Sequence, residues 1–120
     1  MNVEELRYYC LSIKGASESF PFDNKTLVFK VAGKMFAYIR LEPKDDAFRV
    51  NLKCQPSKSV DLRERYRGVT CGTHTRGLLW NQVSLNEDLA DDLIKELIDH
   101  SVDEVIKKLP KLRQNEYKNL

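Results

Sequence analysis

The sequence predicts an α+β domain with an antiparallel sheet, its elements in the order α-β3-α-β2-α. The prediction rests on a short helical segment near the start, segments of strand-like alternation in the middle, and amphipathic helical segments near the end. At 120 residues the chain has the usual length of one domain and can bury one sizeable core. We therefore expect a single domain over residues 1–120.

The first helix is indicated by a capping box, in which Asn2 is followed three residues later by Glu5. Residues 16–26 are rich in Ser, Pro, Asp and Asn, which is typical of a loop. Within this loop we expect the side chains of Phe20 and Phe22 to anchor the chain to the core.

Three strands follow. Residues 27–32 and 35–41 are predicted to form a hairpin across the Gly33-Lys34 turn, and residues 48–54 form the third strand. Successive side chains of a strand point to opposite faces, so the third strand has an apolar and a polar face. The apolar face carries Phe48, Val50, Leu52 and Cys54, and the polar face carries Arg49, Asn51 and Lys53.

The second half begins at Pro56, after which Ser57 or Ser59 is expected to cap a short helix. Two more strands are predicted at residues 69–71 and 78–85. On the last strand, Trp80 and Gln82 should share the polar face.

The final helices are predicted from capping signals. Asn86 is expected to begin one helix, and Ser101, with Glu104 three residues later, a second helix that Pro110 ends. The polar tail over residues 111–120 is expected to be frayed.

Charge is strongly segregated along the chain, although the net charge is only +2. Residues 30–76 carry eleven Lys or Arg against five Asp or Glu, and residues 87–106 carry one against eight. Residues 107–118 return to five against one. The middle of the chain could attract an anionic partner, and the acidic block would repel one.

Several function classes find no support in the sequence. It lacks the nucleophile elbow, the phosphate-binding loop, the dinucleotide fingerprint and the zinc-protease motif, so we expect no enzyme and no cofactor. No stretch is apolar enough to span a bilayer, and the acidic N-terminus is unlike a signal peptide. The three cysteines are widely spaced, which is typical of reduced thiols, and we expect a cytoplasmic protein.

Cys71 and His74 form the one C-x-x-H pattern that could hold a metal or a reactive thiol. A structural zinc site needs four ligands, so we predict no metal site here. Cys54 is better explained as a core residue, and His100 as a dipole partner at a helix C-terminus. The acidic residues at 87–92 are typical of a solvated first helical turn.

A basic surface is the positive candidate. Basic side chains on the polar sheet face and its turns could neutralise phosphates, and an exposed Trp could stack on a base or contact a groove. The predicted nucleic-acid-binding residues are Lys30, Lys34, Lys53, Arg67, His74, Arg76 and Trp80. The alternative is an ordinary solvated face with Trp80 folded under a loop.

Several blocks in a fixed order resemble a known family. They are Phe20-Pro21-Phe22, Val28-Phe29-Lys30-Val31, Gly33-Lys34-Met35-Phe36-Ala37, Asn51-Leu52-Lys53-Cys54-Gln55-Pro56, Trp80-Asn81-Gln82-Val83 and the stretch from Leu97 to Val105. Together they resemble the MmcQ/YjbR family of small bacterial proteins over nearly the whole chain. The resemblance implies a fold like that of type III secretion chaperones and a DNA-binding protein of the "double-wing" kind. Lys34, Lys53 and Trp80 match by position, whereas residues 72–77 lack the aromatic of the family's loop.

Two functions are therefore carried forward. The first is weak, largely sequence-nonspecific DNA binding by a monomer. About three to five phosphate contacts would make the logarithm of affinity fall by roughly 3–4 per decade of salt. The second is a protein- or peptide-binding adaptor, which the chaperone-like fold suggests, with the acidic helices meeting a basic partner.

Overall fold

A computed structural model describes residues 1–72 and 77–120 of the chain. Within these residues it contains four helices and six strands. In chain order they are α1 (Val3–Ser12), β1 (Ser17–Ser19), β2 (Thr26–Val31), β3 (Lys34–Arg40), β4 (Arg49–Lys53), α2 (Pro56–Arg65), β5 (Val69–Cys71), β6 (Trp80–Ser84), α3 (Asp91–Lys107) and α4 (Lys111–Lys118). The predicted α+β class with an antiparallel sheet is confirmed.

The strands form one antiparallel sheet in the order β1-β2-β3-β4-β6-β5. The β2–β3 connection is a tight hairpin, in which Val31 pairs with Lys34. The two turn residues, Ala32 and Gly33, have φ angles of 50° and 74°. A two-residue hairpin loop favours positive φ at both positions because that backbone twist matches the twist of the strands.

The helices cover one face of the sheet. Leu27 of β2, Ile39 of β3, Val50 of β4 and Val83 of β6 lie in register across the strands and belong to the buried core. The same core contains Leu6 and Cys10 of α1, Leu62 of α2 and Ile94, Leu97 and Ile98 of α3. We call the opposite face, which turns away from these helices, the open face.

The N-terminal capping box is present as predicted. The Asn2 side chain accepts a hydrogen bond from the Glu5 backbone, and the Glu5 side chain accepts one from the Asn2 backbone. The cap of α2 is Gln55 rather than Ser57 or Ser59, because its side chain accepts from the Lys58 N–H.

The loop between α1 and β2 differs from the prediction. It contains the short edge strand β1, which pairs with residues 28–30 of β2 and adds one strand to the predicted order. Three residues without an apolar side chain give no alternation from which a strand could be predicted. Phe20 and Phe22 do not anchor the loop, since they are 47% and 69% exposed.

The C-terminal helices also differ from the prediction. Asn86 begins no helix, because α3 starts at Asp91 and then continues without a break to Lys107. Ser101 is therefore a mid-helix residue rather than a cap, and it is fully buried. The tail predicted to be frayed forms α4 over Lys111–Lys118, where Arg113 donates to the Ala32 carbonyl and the Tyr117 hydroxyl to the Lys14 carbonyl.

Over the described ranges, no helix is both long and apolar enough to cross a membrane.

Candidate nucleic-acid interface

Four of the predicted binding residues lie at one end of the sheet. The last β3–β4 pair is Ala37 with Leu52, and in antiparallel strands Lys34 and Lys53 continue beyond that pair in the same direction. Lys30 lies beside the hairpin turn, paired with Met35, and Trp80 pairs directly with Lys53. The register thus groups residues that are up to 50 positions apart in the sequence.

The lysines at this end meet two further lysines at the C-terminal end of α3, Lys107 and the capping residue Lys108. Lys34, Lys53 and Lys108 line a shallow depression whose apolar part is Met35, Val105 and Leu109. We call Lys34, Lys53, Lys107 and Lys108 the basic end. The pKa of Lys53 is lowered first by its partial burial and then by these three neighbouring ammonium groups, against which Glu104 acts in the opposite direction.

Glu104 offsets only part of this charge. It is buried, and its carboxylate forms an ion pair with Lys107. Four lysines therefore face one carboxylate among the groups that act on Lys53. Like charges held together raise the free energy of the protonated state, and a bound anion would relieve that repulsion.

Lys107 and Lys108 were not among the predicted binding residues. The basic segment 107–118 continues into a polar tail after Pro110, and its sequence gives no sign of where that tail lies. In the structure Arg113 Nη2 donates to the Ala32 carbonyl at 2.7 Å, which ties α4 to the β2–β3 turn. The excess of basic residues in 107–118 was the available signal, but only the fold shows that it adjoins Lys34.

Arg67 is not part of this cluster. The Ser84 N–H donates to the Gly68 carbonyl at 2.8 Å, and Ser84 pairs with Arg49, so Arg67 lies near the opposite end of the strands. The Arg67 guanidinium is 3.5 Å from the Glu87 carboxylate. The acidic segment thus neutralises one of the predicted phosphate contacts.

Asp88 holds the same turn through the backbone. Its carboxylate accepts hydrogen bonds from the Arg67 and Gly68 N–H groups at 2.8 and 2.9 Å. Desolvation is the largest single effect on the pKa of Asp88 and acts to raise it. The backbone hydrogen bonds and the charge of Arg67 act in the opposite direction and together outweigh desolvation, so the pKa of Asp88 lies below its ordinary value. The acidic block therefore has a structural role beyond the first turn of α3.

Trp80 lies on the open face and is half-buried. Its ring centroid is 5.5 Å from that of Tyr38, which lies two strands away. The ring thus reaches across β4, where Asn51 is only 3% exposed. The Trp80 carbonyl accepts hydrogen bonds from the Gly72 N–H and from Arg63, which fixes the backbone that presents the ring.

A second group of cations lines a wide depression on the open face at the far end of β4. We call this depression, with a volume of about 620 Å³, the arginine groove; its lining includes Arg40, Lys44, Asp45, Arg49, Asn51 and Gln82. Arg49 donates to both Asp45 oxygens at 3.1 and 2.6 Å. These bonds lower the pKa of Asp45 to about 2. Two further carboxylates act on these cations, Glu87 on Arg49 and Asp23 on Arg40, so the charge of the groove is largely balanced.

Two neighbouring residues of α3 hold the backbone at the end of β4 in place. Where β3 and β4 separate, the Ser101 hydroxyl donates to the Phe36 carbonyl and accepts from the Lys53 N–H. His100 Nε2 accepts from the Gln55 N–H at 3.1 Å. His100 is thus a mid-helix acceptor for the β4–α2 connection and not the predicted C-terminal dipole partner.

The remaining predicted site residues, His74 and Arg76, lie outside the described residues, as does the C-x-x-H pairing of Cys71 with His74. Cys54 is buried, in agreement with its interpretation as a core residue, and Cys71 is exposed. Across residues 1–72 and 77–120, no three His, Cys, Asp or Glu side chains are grouped as a metal site would require.

Comparison with known proteins identifies relatives over most of the chain. A family model described as YjbR matches residues 11–103. The chain is 31% identical over 110 residues to the YjbR protein of Escherichia coli (strain K12), covering 92% of each. It is 32% identical over 95 residues to the YbdF protein of Escherichia coli O157:H7, covering 79% of this chain and 76% of YbdF.

Two solved structures are similar in fold. The crystal structure of Deinococcus radiodurans protein DR2400, a DUF419 domain, has a TM-score of 0.88 at 30% identity. The alignment covers 98% of this chain and 88% of that one. A crystal structure from Pseudomonas syringae has a TM-score of 0.72 at 23% identity, covering 84% of this chain and 96% of that one. At that identity the second similarity concerns the fold alone.

Proposed function

The chain belongs to the YjbR family, and from its charge distribution we propose that it is a DNA-binding protein with weak and largely sequence-nonspecific affinity. The observation that supports the proposal is the basic end, where Lys34, Lys53, Lys107 and Lys108 lie together and Glu104 is the one carboxylate among the described groups that act on Lys53. Phosphate contacts of this kind provide affinity without sequence information.

The basic end also has a suitable shape. Lys34 follows the tight β2–β3 turn and is exposed, while Lys108 follows the last turn of α3. An exposed hairpin and a helix end can approach a phosphate backbone from the side without entering a groove. Such contacts fit nonspecific binding, because base edges are read only from within the grooves.

Salt and charge variants test this proposal. Titration of fluorescently labelled duplex DNA by anisotropy should give an affinity whose logarithm falls by roughly 3–4 per decade of salt for about four phosphate contacts. The Lys34→Gln variant should bind more weakly and reduce that slope by about 1. Lys95→Gln is the matched control, since Lys95 lies over the Tyr9 ring and lines a depression with Glu4, Glu5 and Asp91.

The proposal fails if duplex DNA does not bind at micromolar protein in low salt. It fails equally if Lys34→Gln and Lys95→Gln weaken binding to the same extent, because the effect would then reflect net charge and not a site.

A second candidate, a protein-binding adaptor, is favoured by one observation. Phe20 and Phe22 were expected in the core but are exposed beside the edge strand β1. Exposed aromatic side chains next to a sheet edge are typical of protein contacts. The adaptor proposal expects a nuclease-resistant complex with one protein that is lost in a Phe20→Ser, Phe22→Ser variant and retained in Lys34→Gln. Retention of the complex by the double Phe variant would contradict it.

A further inference from the structure

We propose that the depression at the basic end binds a phosphate monoester, and that its ligand is the terminal phosphate of a DNA strand. This inference rests on the proposed DNA binding and specifies which part of the DNA the site prefers. A phosphate monoester carries a charge of about −1.5 to −2 at neutral pH and presents three acceptor oxygens. A phosphate inside a strand carries a charge of about −1, and two of its oxygens are bonded to sugars.

The first argument is the composition of the depression. Lys34, Lys53 and Lys108 line it from three segments of the chain, which are β3, β4 and the end of α3. No Asp or Glu is among the lining residues that the structure describes. Glu104, the carboxylate that acts on Lys53, is already paired with Lys107. Three lysines around one depression match the three oxygens and the higher charge of a monoester better than they match a diester.

The second argument is the different exposure of the three lysines. Lys34 and Lys108 are exposed, whereas Lys53 is partly buried. The apolar part of the depression lowers the local dielectric constant, so an anion there interacts with Lys53 more strongly than it would in water. An internal phosphate is flanked by a sugar on each side, which holds it at the rim beside the exposed lysines. A terminal phosphate has only one such neighbour and can approach Lys53 more closely.

The third argument is that the backbone of each lysine is held in place before a ligand binds. The Lys53 N–H donates to the Ser101 hydroxyl at 2.9 Å, and the Lys108 N–H donates to the Val105 carbonyl at 3.3 Å. Lys34 directly follows the tight β2–β3 turn. Binding an anion here therefore restricts side chains but orders no backbone, which lowers its entropic cost.

The C-terminus of α3 opposes an anion less than an uncovered helix end would. A helix C-terminus repels anions because its last carbonyls lack intrahelical partners. Here Gln114 Nε2 donates to the Lys107 and Leu109 carbonyls at 3.2 and 2.8 Å. The side-chain charges of Lys107 and Lys108 outweigh what remains at the helix end, which is about half an elementary charge.

Duplexes that differ only at their ends provide the test. Two short blunt duplexes of one sequence, one with 5′-phosphates and one with 5′-hydroxyl groups, would carry an internal fluorophore and be titrated by anisotropy in low salt. We expect the phosphorylated duplex to bind about tenfold tighter, the gain that one added charge-assisted hydrogen bond provides. Lys53→Gln should remove most of this preference, and the control Lys95→Gln should retain it.

A second variant guards against misfolding of Lys53→Gln. Lys108 is exposed, so Lys108→Gln should fold normally and still reduce the preference for the phosphorylated duplex. Equal affinity for the two duplexes overturns the inference while the proposed DNA binding stands. A preference that survives in both variants overturns it as well, because the phosphate would then bind elsewhere.

Inorganic phosphate distinguishes a strand end from a free phosphate compound. Added at constant ionic strength, with chloride as the control, it should shift the backbone amide NMR signals of Lys53 and Lys108. It should also weaken binding of the phosphorylated duplex towards that of the hydroxyl duplex. If neither duplex binds while phosphate still shifts these signals, the proposed DNA binding fails and the ligand is a free phosphate compound. If neither duplex binds and phosphate shifts no signal, both proposals fail.

Discussion

The two faces of the sheet use their polar side chains in different ways. On the helix-covered face, Ser101 and Asn81 are at most 1% exposed, and each joins two other groups by hydrogen bonds. On the open face and at its end, Arg49 and Lys53 are only partly buried. A buried polar group that loses its partner costs free energy, whereas a solvated charge that loses one is rehydrated. Changes to Ser101 or Asn81 should therefore alter stability, and changes to the partly exposed charges of Arg49 or Lys53 should alter binding.

The largest expected effect comes from Ser101→Ala on the covered face. It removes the hydroxyl that donates to the Phe36 carbonyl and accepts from the Lys53 N–H. Both backbone groups then lose this hydrogen-bond partner at a buried site. We expect the free energy of unfolding to fall by about 2–4 kcal/mol. Urea denaturation would measure it, with Ser57→Ala as the control because Ser57 is exposed. Equal effects of the two variants would contradict the difference between the faces.

A smaller effect is expected from His100, which makes the covered face sensitive to acid. Burial lowers the pKa of His100 below 6.5, assisted by Lys58 and Lys107, whereas Glu104 and Asp103 act to raise it. The folded protein therefore takes up the proton less readily than the unfolded chain. Stability should be fully present above about pH 6.5 and fall as the pH drops through the folded pKa.

Thermal melting between about pH 8 and pH 5 would follow this effect of His100. The His100→Gln variant keeps an acceptor for the Gln55 N–H but does not titrate, so its melting temperature should depend less on pH. The same pH dependence in the variant would show that other groups are responsible.

The smallest effect on stability is expected from Asp45→Asn on the open face. Both carboxylate oxygens of Asp45 accept from Arg49, and Asp45 is exposed, so solvent can replace these bonds. The change removes one of the two carboxylates that act on Arg49. Affinity for DNA should rise, with a salt slope steeper by up to about 1, while the melting temperature changes less than in Ser101→Ala. A marked loss of stability without a gain in affinity would contradict the comparison.

Most of the fold could be predicted because its signals are local. The capping box at Asn2, the hairpin around Gly33 and the alternation in β4 each depend on neighbouring residues, and each is present in the structure. The edge strand β1 could not be predicted because it exists only by pairing with β2. The start of α3 was misjudged because Asn86 and the acidic residues after it suit a cap, but Asp88 instead binds the turn before β5.

The candidate site was predicted only in part. Alternation indicated that Lys53 and Trp80 share a face, and the register agrees. It could not indicate that Arg67 meets Glu87 or that Lys108 lies beside Lys34, since these contacts join distant segments. Phe20 and Phe22 were misjudged for the same reason, because apolar character alone does not say whether a neighbour is there to cover it.

The sequence by itself determined most of the elements of this protein, since backbone propensity, capping and periodicity act over a few residues. Only the tertiary structure decided what the charged and polar residues do. Ser101 fits a capping box in the sequence, yet it bridges two separating strands because α3 runs across them. The basic residues form two separate runs in the sequence, residues 30–76 and 107–118, and only the fold brings two lysines from each together at the basic end. The partner of a charge depends on distance in space, and chain folding sets that distance.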